Sequence, residues 1–235
     1  MKIYKVKNYD EMSETAAEIL AAQIQSKPNS VLGLATGSTP IGLYSKLAEL
    51  CAAGRVDFSA VTSINLDEYC ALDPGDINSY RRFMNDNLFS KINIKAENTH
   101  VPDGVAEDIA AECARYDALI ASNGIDIQLL GLGHNGHIGF NEPADEFVLP
   151  THCVKLDDRT VEANARFFEN EDEVPKHAIT MGIGAIMKAK QVLLIVSGED
   201  KREILQRTLY GSVTPKVPAS ILQLHNDVIV VSDVI

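Results

Sequence analysis

One stretch, GLGHNGHIGFNEP at residues 131–143, constrains this chain more than any other. It follows the apolar run 125–130, which is typical of a buried strand, and it mixes glycines with histidine, asparagine and glutamate. Glycine lets the backbone turn sharply and approach a ligand closely. Because open α/β sheets bind ligands beyond the carboxyl ends of their strands, this stretch predicts a functional loop at that edge.

The same stretch contains the spacing G-x-G-x-x-G, at Gly131, Gly133 and Gly136, which is the dinucleotide-binding fingerprint. That fingerprint needs a helix directly behind it, whereas residues 137–143 are poor in helix-forming residues. We therefore expect no nicotinamide cofactor. Two histidines in the loop could in principle bind zinc, but no further ligand lies at a supporting spacing, so we expect no metal either.

Composition narrows the class of protein. The 235 residues are 46% hydrophobic and no linker divides them, so we expect residues 1–235 to form a single catalytic domain. The net charge of −12 disfavours nucleic acid as a partner but does not exclude a small anionic substrate. Four scattered cysteines, the absence of a signal peptide and the absence of a membrane-length apolar run predict a cytoplasmic protein with no membrane contact.

Predicted strands and helices alternate along the whole chain. This alternation predicts an α/β fold with three αβα layers, a Rossmann-like, mostly parallel sheet with helices on both faces. The predicted strands span residues 2–6, 31–34, 61–66, 125–130, 153–156, 178–181, 192–196 and 228–231, and the principal helices 10–25, 40–54, 79–89, 105–122, 159–168 and 201–209.

A second loop with possible binding chemistry joins the strand 31–34 to the next helix. Thr39 is a good N-cap and Pro40 a good first helical residue. Unpaired N–H groups and the helix dipole attract phosphate at such a turn, so Thr36, Gly37, Ser38 and Thr39 are candidate ligands. An ordinary capped helix start remains the alternative.

Acidic and basic side chains supply further candidates. Asp67 follows the strand 61–66, where a carboxylate faces the ligand crevice, although an acid there can also simply solvate a loop. His137, followed by Glu142, is the better acid–base candidate of the two loop histidines. Arg166 and Lys201 could each clamp an anion or remain solvated surface charges.

Several segments together resemble one family, the glucosamine-6-phosphate deaminases, also called glucosamine-6-phosphate isomerases. The related lactonases of 6-phosphogluconate share the glycine–histidine core but not the FNEP continuation. The matching segments are ATGSTP at 35–40, NLDEY at 65–69, SYRRFM at 79–84, GLGHNGHIGFNEP at 131–143, NARFF at 164–168, ITMGIG at 179–184 and ILQLH at 221–225.

The resemblance implies that glucosamine 6-phosphate and water yield fructose 6-phosphate and ammonia without a cofactor or metal. Asp67 matches the base that moves a proton between C2 and C1. His137 matches the residue that opens the sugar ring, and Glu142 the carboxylate that orients it. We expect loop N–H groups near Gly136 to stabilise the enolamine. The phosphate site is matched by the loop 36–39, Arg166 and Lys201.

Two features depart from the family pattern. Many members have aspartate where this chain has Asn135, which can orient His137 by hydrogen bonding but cannot stabilise an imidazolium by charge. The segment 144–150 is acidic and lacks the serines and arginines of the allosteric hexamers. We therefore expect no activation by N-acetylglucosamine 6-phosphate, and a monomer or small homo-oligomer.

Two other classes stay open at this point. Sugar-phosphate sensor domains of transcriptional regulators share this kind of fold, and they bind without turnover. Another sugar-phosphate lactonase or isomerase would give a different product. The FNEP and DEY segments weigh against both alternatives.

Overall fold

A computed structural model describes residues 1–156, 161 and 174–235. Within these residues, seven strands form one parallel sheet in the order β1-β10-β9-β6-β2-β3-β5, and three form a small antiparallel sheet in the order β4-β8-β7. The strands are β1 Lys2–Lys5, β2 Val31–Leu34, β3 Thr62–Asn65, β4 Asp67–Tyr69, β5 Thr99–His100, β6 Ile127–Leu130, β7 His152–Lys155, β8 His177–Thr180, β9 Gln191–Val196 and β10 Val228–Ser232.

Helices flank the parallel sheet and confirm the predicted αβα architecture. The central strands β2 and β6 are buried along their whole length, which explains why their sequences are uninterrupted apolar runs rather than alternating ones. The helices are α1 Tyr9–Ser26, α2 Ile41–Ala52, α3 Tyr80–Asn87, α4 Ile109–Asn123, α5 Ile183–Lys188 and α6 Arg202–Tyr210, with short 3₁₀ turns at Phe89–Lys91, Ala96–Asn98, Glu199–Lys201 and Pro218–Leu224.

Several predicted helix starts are wrong in detail, most of all that of α4, which begins at Ile109 with Asp108 as its N-cap rather than at Val105. Asn8, rather than Asp10, caps α1, because its side-chain oxygen accepts the N–H of Glu11 at 2.9 Å. The helix α2 begins at Ile41, one residue later than predicted, with Pro40 at the N-cap position and no side-chain cap from Thr39. The first turn of α2 is therefore left without the expected hydroxyl acceptor. The predicted helix at 159–168 lies outside the described residues.

The strand order creates a crevice between β2 and β6. From β2 the sheet grows through β3 and β5 in one direction, and from β6 through β9 and β10 in the other. The chain therefore leaves the carboxyl ends of these two neighbouring strands in opposite directions. Such a switch point is where open α/β sheets bind ligands.

The antiparallel sheet was not predicted from the sequence. Residues 67–69, expected to lie in a loop, form β4 and pair with β8, so that Asp67 lies opposite Thr180. The paired segments are more than a hundred residues apart, and no local pattern reveals such a partnership. This sheet holds Asp67 on a paired strand at the carboxyl edge of β3.

At the opposite, amino end of the strands a second buried aspartate has cationic partners. Asp126 immediately precedes β6 and accepts the N–H of Val31 at 2.8 Å. The ammonium groups of Lys27 and Lys190 bind its two oxygens at 2.6 and 2.8 Å. Together these groups form what we call the Asp126 cluster.

Candidate active site

A cleft of about 330 Å³ opens at the switch point between β2 and β6, within the size range of small-ligand sites. Its walls are the loop after β2, the start of β4, the loop after β6 and the 3₁₀ turn after β9. Most of the predicted site residues meet there, namely Thr36, Gly37, Ser38, Thr39, Asp67, Asn135, His137 and Lys201.

Asp67 contributes a buried carboxylate to this cleft. It is only 5% exposed, and no other group of the described residues forms a hydrogen bond with its carboxylate. Burial, followed by the nearby charge of Glu68, raises the pKa of Asp67 to about 8. Gly139, beside the carboxylate, has φ +57°, which L side chains rarely adopt, and a Cβ there would lie 3.0 Å from Thr180 Oγ1. The Asp67 carboxylate can take up and release a proton near neutral pH.

Glu68 is as deeply buried as its neighbour, at 3% exposure, but its oxygens are occupied. Oε1 accepts the N–H groups of Tyr69 and Tyr80 at 2.9 and 2.8 Å, and Oε2 that of Arg81 at 2.9 Å. Burial raises the pKa of Glu68 despite these hydrogen bonds. We had not assigned this residue to the site, because an acid after a strand is usually a solvated loop residue.

His137 and Glu142 form a hydrogen-bonded pair on the loop after β6. His137 Nδ1 lies 3.2 Å from Glu142 Oε2, and both side chains are largely buried. Asn135 does not contact the imidazole: its Nδ2 donates to the same Glu142 oxygen at 2.6 Å, and its Oδ1 accepts the backbone N–H of His137 at 3.1 Å. Asn135 therefore orients the imidazole through Glu142 and the loop backbone.

The glycines of the false dinucleotide fingerprint shape this loop. A Cβ at Gly133 would overlap the imidazole of His137, so only glycine lets the ring lie there. Gly136 has φ +88° and lies outside the cleft wall. Its N–H donates to the Gly133 carbonyl at 3.0 Å, and its carbonyl accepts the N–H of Ala219 at 2.9 Å. The N–H of Gly136 itself is thus already bonded, and the expectation that loop N–H groups near Gly136 stabilise the enolamine stays a prediction.

The loop after β2 offers backbone N–H groups to the cleft. Gly37 has φ +94°, and within the described residues the N–H groups of Gly37 and Thr39 donate to no other group. Tyr9 holds the loop from behind, donating its hydroxyl to the Ser38 carbonyl at 3.2 Å and accepting the N–H of Gly42 at 2.8 Å. A fixed loop with unused N–H groups at a helix start is suited to an anion.

Lys201, in the 3₁₀ turn after β9, brings a positive charge to the cleft. Its ammonium donates to the Leu132 carbonyl at 2.9 Å, which ties it to the loop after β6. His134, on the rim, forms a 2.6 Å hydrogen bond with Asp200. Arg166, the other predicted anion ligand, lies outside the described residues.

Aromatic side chains cover one side of the cleft. Tyr80 and Phe140 stack at 5.9 Å between ring centroids, and Tyr69 packs against both. The Tyr80 phenol also interacts with the side chain of Thr36, which links α3 to the loop after β2. We missed Tyr80 because it looked like an ordinary helix residue. Its position in the SYRRFM segment was the available signal.

The described residues contain neither a cluster of metal ligands nor a membrane-spanning helix. Over residues 1–156, 161 and 174–235, no group of three or more His, Cys, Asp or Glu side chains is arranged to hold a metal ion. None of the helices described above is long and apolar enough to span a bilayer.

Comparisons with known proteins agree with one another. A family model for glucosamine-6-phosphate isomerases and 6-phosphogluconolactonase matches residues 5–231. The chain is 60% identical over 232 residues to a glucosamine-6-phosphate deaminase from Lachnoclostridium phytofermentans, covering 98% of both chains. It is 55% identical to one from Clostridioides difficile, covering 99% of this chain and 94% of the relative.

Solved structures extend the comparison. A monomeric glucosamine-6-phosphate deaminase superposes with a TM-score of 0.96 at 47% identity, covering 99% of this chain and 97% of that one. A 6-phosphogluconolactonase from Thermotoga maritima superposes with a TM-score of 0.72 at 22% identity, covering 98% and 99%. The second likeness concerns the fold alone.

Proposed function

Because this chain belongs to the family of glucosamine-6-phosphate isomerases and 6-phosphogluconolactonases, we propose that it converts glucosamine 6-phosphate and water into fructose 6-phosphate and ammonia. One observation carries the choice of reaction: the buried carboxylate of Asp67, with a pKa raised to about 8, shares a cleft with the His137–Glu142 pair. An aldose-to-ketose conversion needs two such proton-transfer groups.

The first step opens the sugar ring. With Nδ1 of His137 held by Glu142, Nε2 is the nitrogen that exchanges a proton with the ring oxygen. Protonation of that oxygen accompanies cleavage of its bond to C1 and loss of the proton from the C1 hydroxyl, which leaves an aldehyde. Glu142 and Asn135 keep the imidazole in the orientation that this transfer requires.

The second step moves a proton between carbons. The Asp67 carboxylate takes the proton from C2, which gives an enolamine, and the resulting acid returns a proton to C1. The C2 imine then adds water and releases ammonia, so the products are fructose 6-phosphate and ammonia. A pKa near 8 suits Asp67 to both halves of this transfer, because both protonation states are accessible near neutral pH.

The phosphate occupies the opposite wall in this proposal. The loop of Thr36, Gly37, Ser38 and Thr39 supplies N–H groups and hydroxyls, and Lys201 supplies a charge. Arg166 completes the site by its match to the NARFF segment. Binding energy at a group remote from C1 and C2 holds the sugar in register for the proton transfers.

The same proposal covers assembly and location. The whole chain acts as one catalytic domain on a small sugar phosphate, as a monomer or small homo-oligomer, and the monomeric relative supports this choice. A net charge of −12 disfavours nucleic acid as a partner. Free thiols at all four cysteines and a phosphorylated substrate favour the cytoplasm.

The decisive test compares two buried aspartates. We expect the unmodified protein to release ammonia and fructose 6-phosphate from glucosamine 6-phosphate, and Asp67→Asn to lose about 10³-fold or more in kcat. Asp126→Asn is the matched control, because Asp126 is equally buried but lies at the other end of the strands. Tight binding of the sugar phosphate without turnover would instead indicate a sensor, and hydrolysis of 6-phosphogluconolactone alone would indicate a lactonase.

A further inference from the structure

Glu68 occupies an unusual position between the strand of Asp67 and the helix of Tyr80. Two of the three N–H groups that it accepts, those of Tyr80 and Arg81, belong to the first turn of α3. Negative charge is stabilising at a helix N-terminus, where N–H groups have no partner within the helix. Ser79 supplies a separate N-cap, accepting the N–H of Arg82 at 3.1 Å. Glu68 therefore adds a fixed attachment to a helix start that is already capped.

Through Tyr80, this attachment extends to the loop after β2, at Thr36. Tyr80, whose N–H is held by Glu68, interacts through its phenol with the side chain of Thr36, and both residues line the cleft. A continuous series of contacts thus runs from Asp67 through its neighbour Glu68 to Tyr80 and Thr36. Both ends of this series line the cleft.

We propose that Glu68 is a positioning residue that sets the spacing between the proton-transfer carboxylate of Asp67 and the phosphate loop at Thr36. This inference rests on the proposed function, since a sugar phosphate must present C1 and C2 to one group while its phosphate stays on the other. Misplacement by about 1 Å is enough to slow such a reaction by about 10²-fold.

Glu68 also acts on Asp67 through its charge. Among the described residues, the charge of Glu68 is what raises the pKa of Asp67 after burial itself. Asp67 also interacts electrostatically with three phenols, those of Tyr44 on α2, Tyr80 on α3 and Tyr116 on α4. Burial raises the pKa of all three phenols, so they remain neutral. His137 shares the cleft, and Arg81 partly offsets the charge of Glu68.

The test separates charge from position. Glu68→Gln keeps an acceptor for Tyr69 and Tyr80 but removes the charge. We expect about a tenfold or larger fall in kcat, and an acidic limb of the kcat/KM profile that moves to lower pH. Glu68→Asp keeps the charge but is too short to reach α3, so kcat falls while the acidic limb stays in place. Tyr80→Phe removes the phenol that interacts with Thr36 and Tyr69 but leaves Glu68 and its charge in place, so it is expected to lower kcat/KM without moving that limb.

Ser79→Ala is the matched control, since it weakens the start of α3 without touching Glu68. We expect a lower Tm, unchanged kcat and an unchanged pH profile. The inference is wrong if Glu68→Gln retains the kcat and pH profile of the unmodified protein, or if Ser79→Ala reproduces both changes. If Glu68→Gln does not fold, Glu68→Asp and Tyr80→Phe decide, and normal kcat/KM in both contradicts the inference. Absence of ammonia release by the unmodified protein would instead refute the proposed function.

Discussion

Two aspartates at opposite ends of the parallel sheet are almost equally buried and are held in opposite ways. Asp67 is 5% exposed and Asp126 is 4% exposed. Burial alone would raise both pKa values, but hydrogen bonds from Lys190, Lys27 and the N–H of Val31 outweigh it at Asp126 and lower its pKa. Among the described residues no cation opposes burial at Asp67, and its pKa rises to about 8.

The difference shows what marks a carboxylate as functional in this fold. Asp126 has its charge neutralised and its oxygens occupied, so it serves the stability of the amino end of the strands. Asp67 lies in a cleft without such partners, an arrangement that costs stability but leaves a proton acceptor available. Burial therefore does not separate the two residues, whereas their partners do.

The largest expected effect concerns catalysis at the cleft alone. We expect His137→Gln to lower kcat by about 10²- to 10⁴-fold, because the imidazole that opens the ring is lost. Lys190→Ala, at the Asp126 cluster, should leave kcat within about twofold, since it is remote from the chemistry. Steady-state ammonia release measures kcat for both variants. A comparable loss of kcat in both would show that the two ends of the sheet do not differ in function.

A second prediction uses the pH dependence of stability. The pKa of Asp67 in the folded state is raised, so the stability associated with its protonated form is fully present below pH 3.8 and is lost as pH rises through about 8. Asp67→Asn has no such loss. The free energy of unfolding of this variant should exceed that of the unmodified protein increasingly over that window, by a few kcal/mol at most.

Urea unfolding at pH values from 4 to 9 measures this difference. A constant difference across that range would mean that Asp67 titrates like an ordinary surface aspartate. Lys46→Ala, at an exposed ion pair on α2, is a suitable control for general effects of pH on unfolding.

The Asp126 cluster should behave with the opposite sign. Its folded-state pKa is lowered, so the stability that it supplies is present above pH 3.8 and is lost as pH falls through that lower pKa. We expect Asp126→Asn to reduce the free energy of unfolding by about 1–3 kcal/mol at pH 7. A urea series extended down to about pH 2 should show this deficit shrinking as pH falls below 3.8, and a deficit that grows there would contradict the assignment.

The smallest effect is expected within the cleft itself. Asn135 contacts Glu142 and the backbone of His137 rather than the imidazole ring, so its contribution is indirect. We expect Asn135→Ala to lower kcat by about tenfold or less, the worth of one hydrogen bond. A loss as large as that of His137→Gln would show that Asn135 takes a direct part in the chemistry.

The sequence was sufficient to predict the layers but not every pairing. Buried strands such as β6 and β9 are visible as apolar runs, and they lie in the parallel sheet as expected. The pairing of Asp67 with Thr180 depends on segments far apart in the chain, which local periodicity does not encode. The two-residue strand β5 is too short to leave a pattern.

The candidate site was predicted unevenly for a similar reason. Glycine-rich loops at strand ends are recognisable in the sequence. They include His137 and the loop at Thr36, which line one cleft. In the sequence, Glu68 looks like a loop acid and Tyr80 like an ordinary helix residue. Only the structure shows that Glu68, on the antiparallel sheet, binds the N–H of Tyr80 and so holds α3 against the site. Their importance comes from tertiary contacts that no single segment contains.

Gly133 has a consequence for how this chain could be altered. Because a methyl group there would occupy the volume of the His137 ring, the backbone itself forms the floor on which the imidazole rests. The reactivity of that ring is therefore adjustable only from its other side, through Glu142 and Asn135. In this chain, the central glycine of a spacing that matches a nucleotide-binding signature is required by the ring of His137.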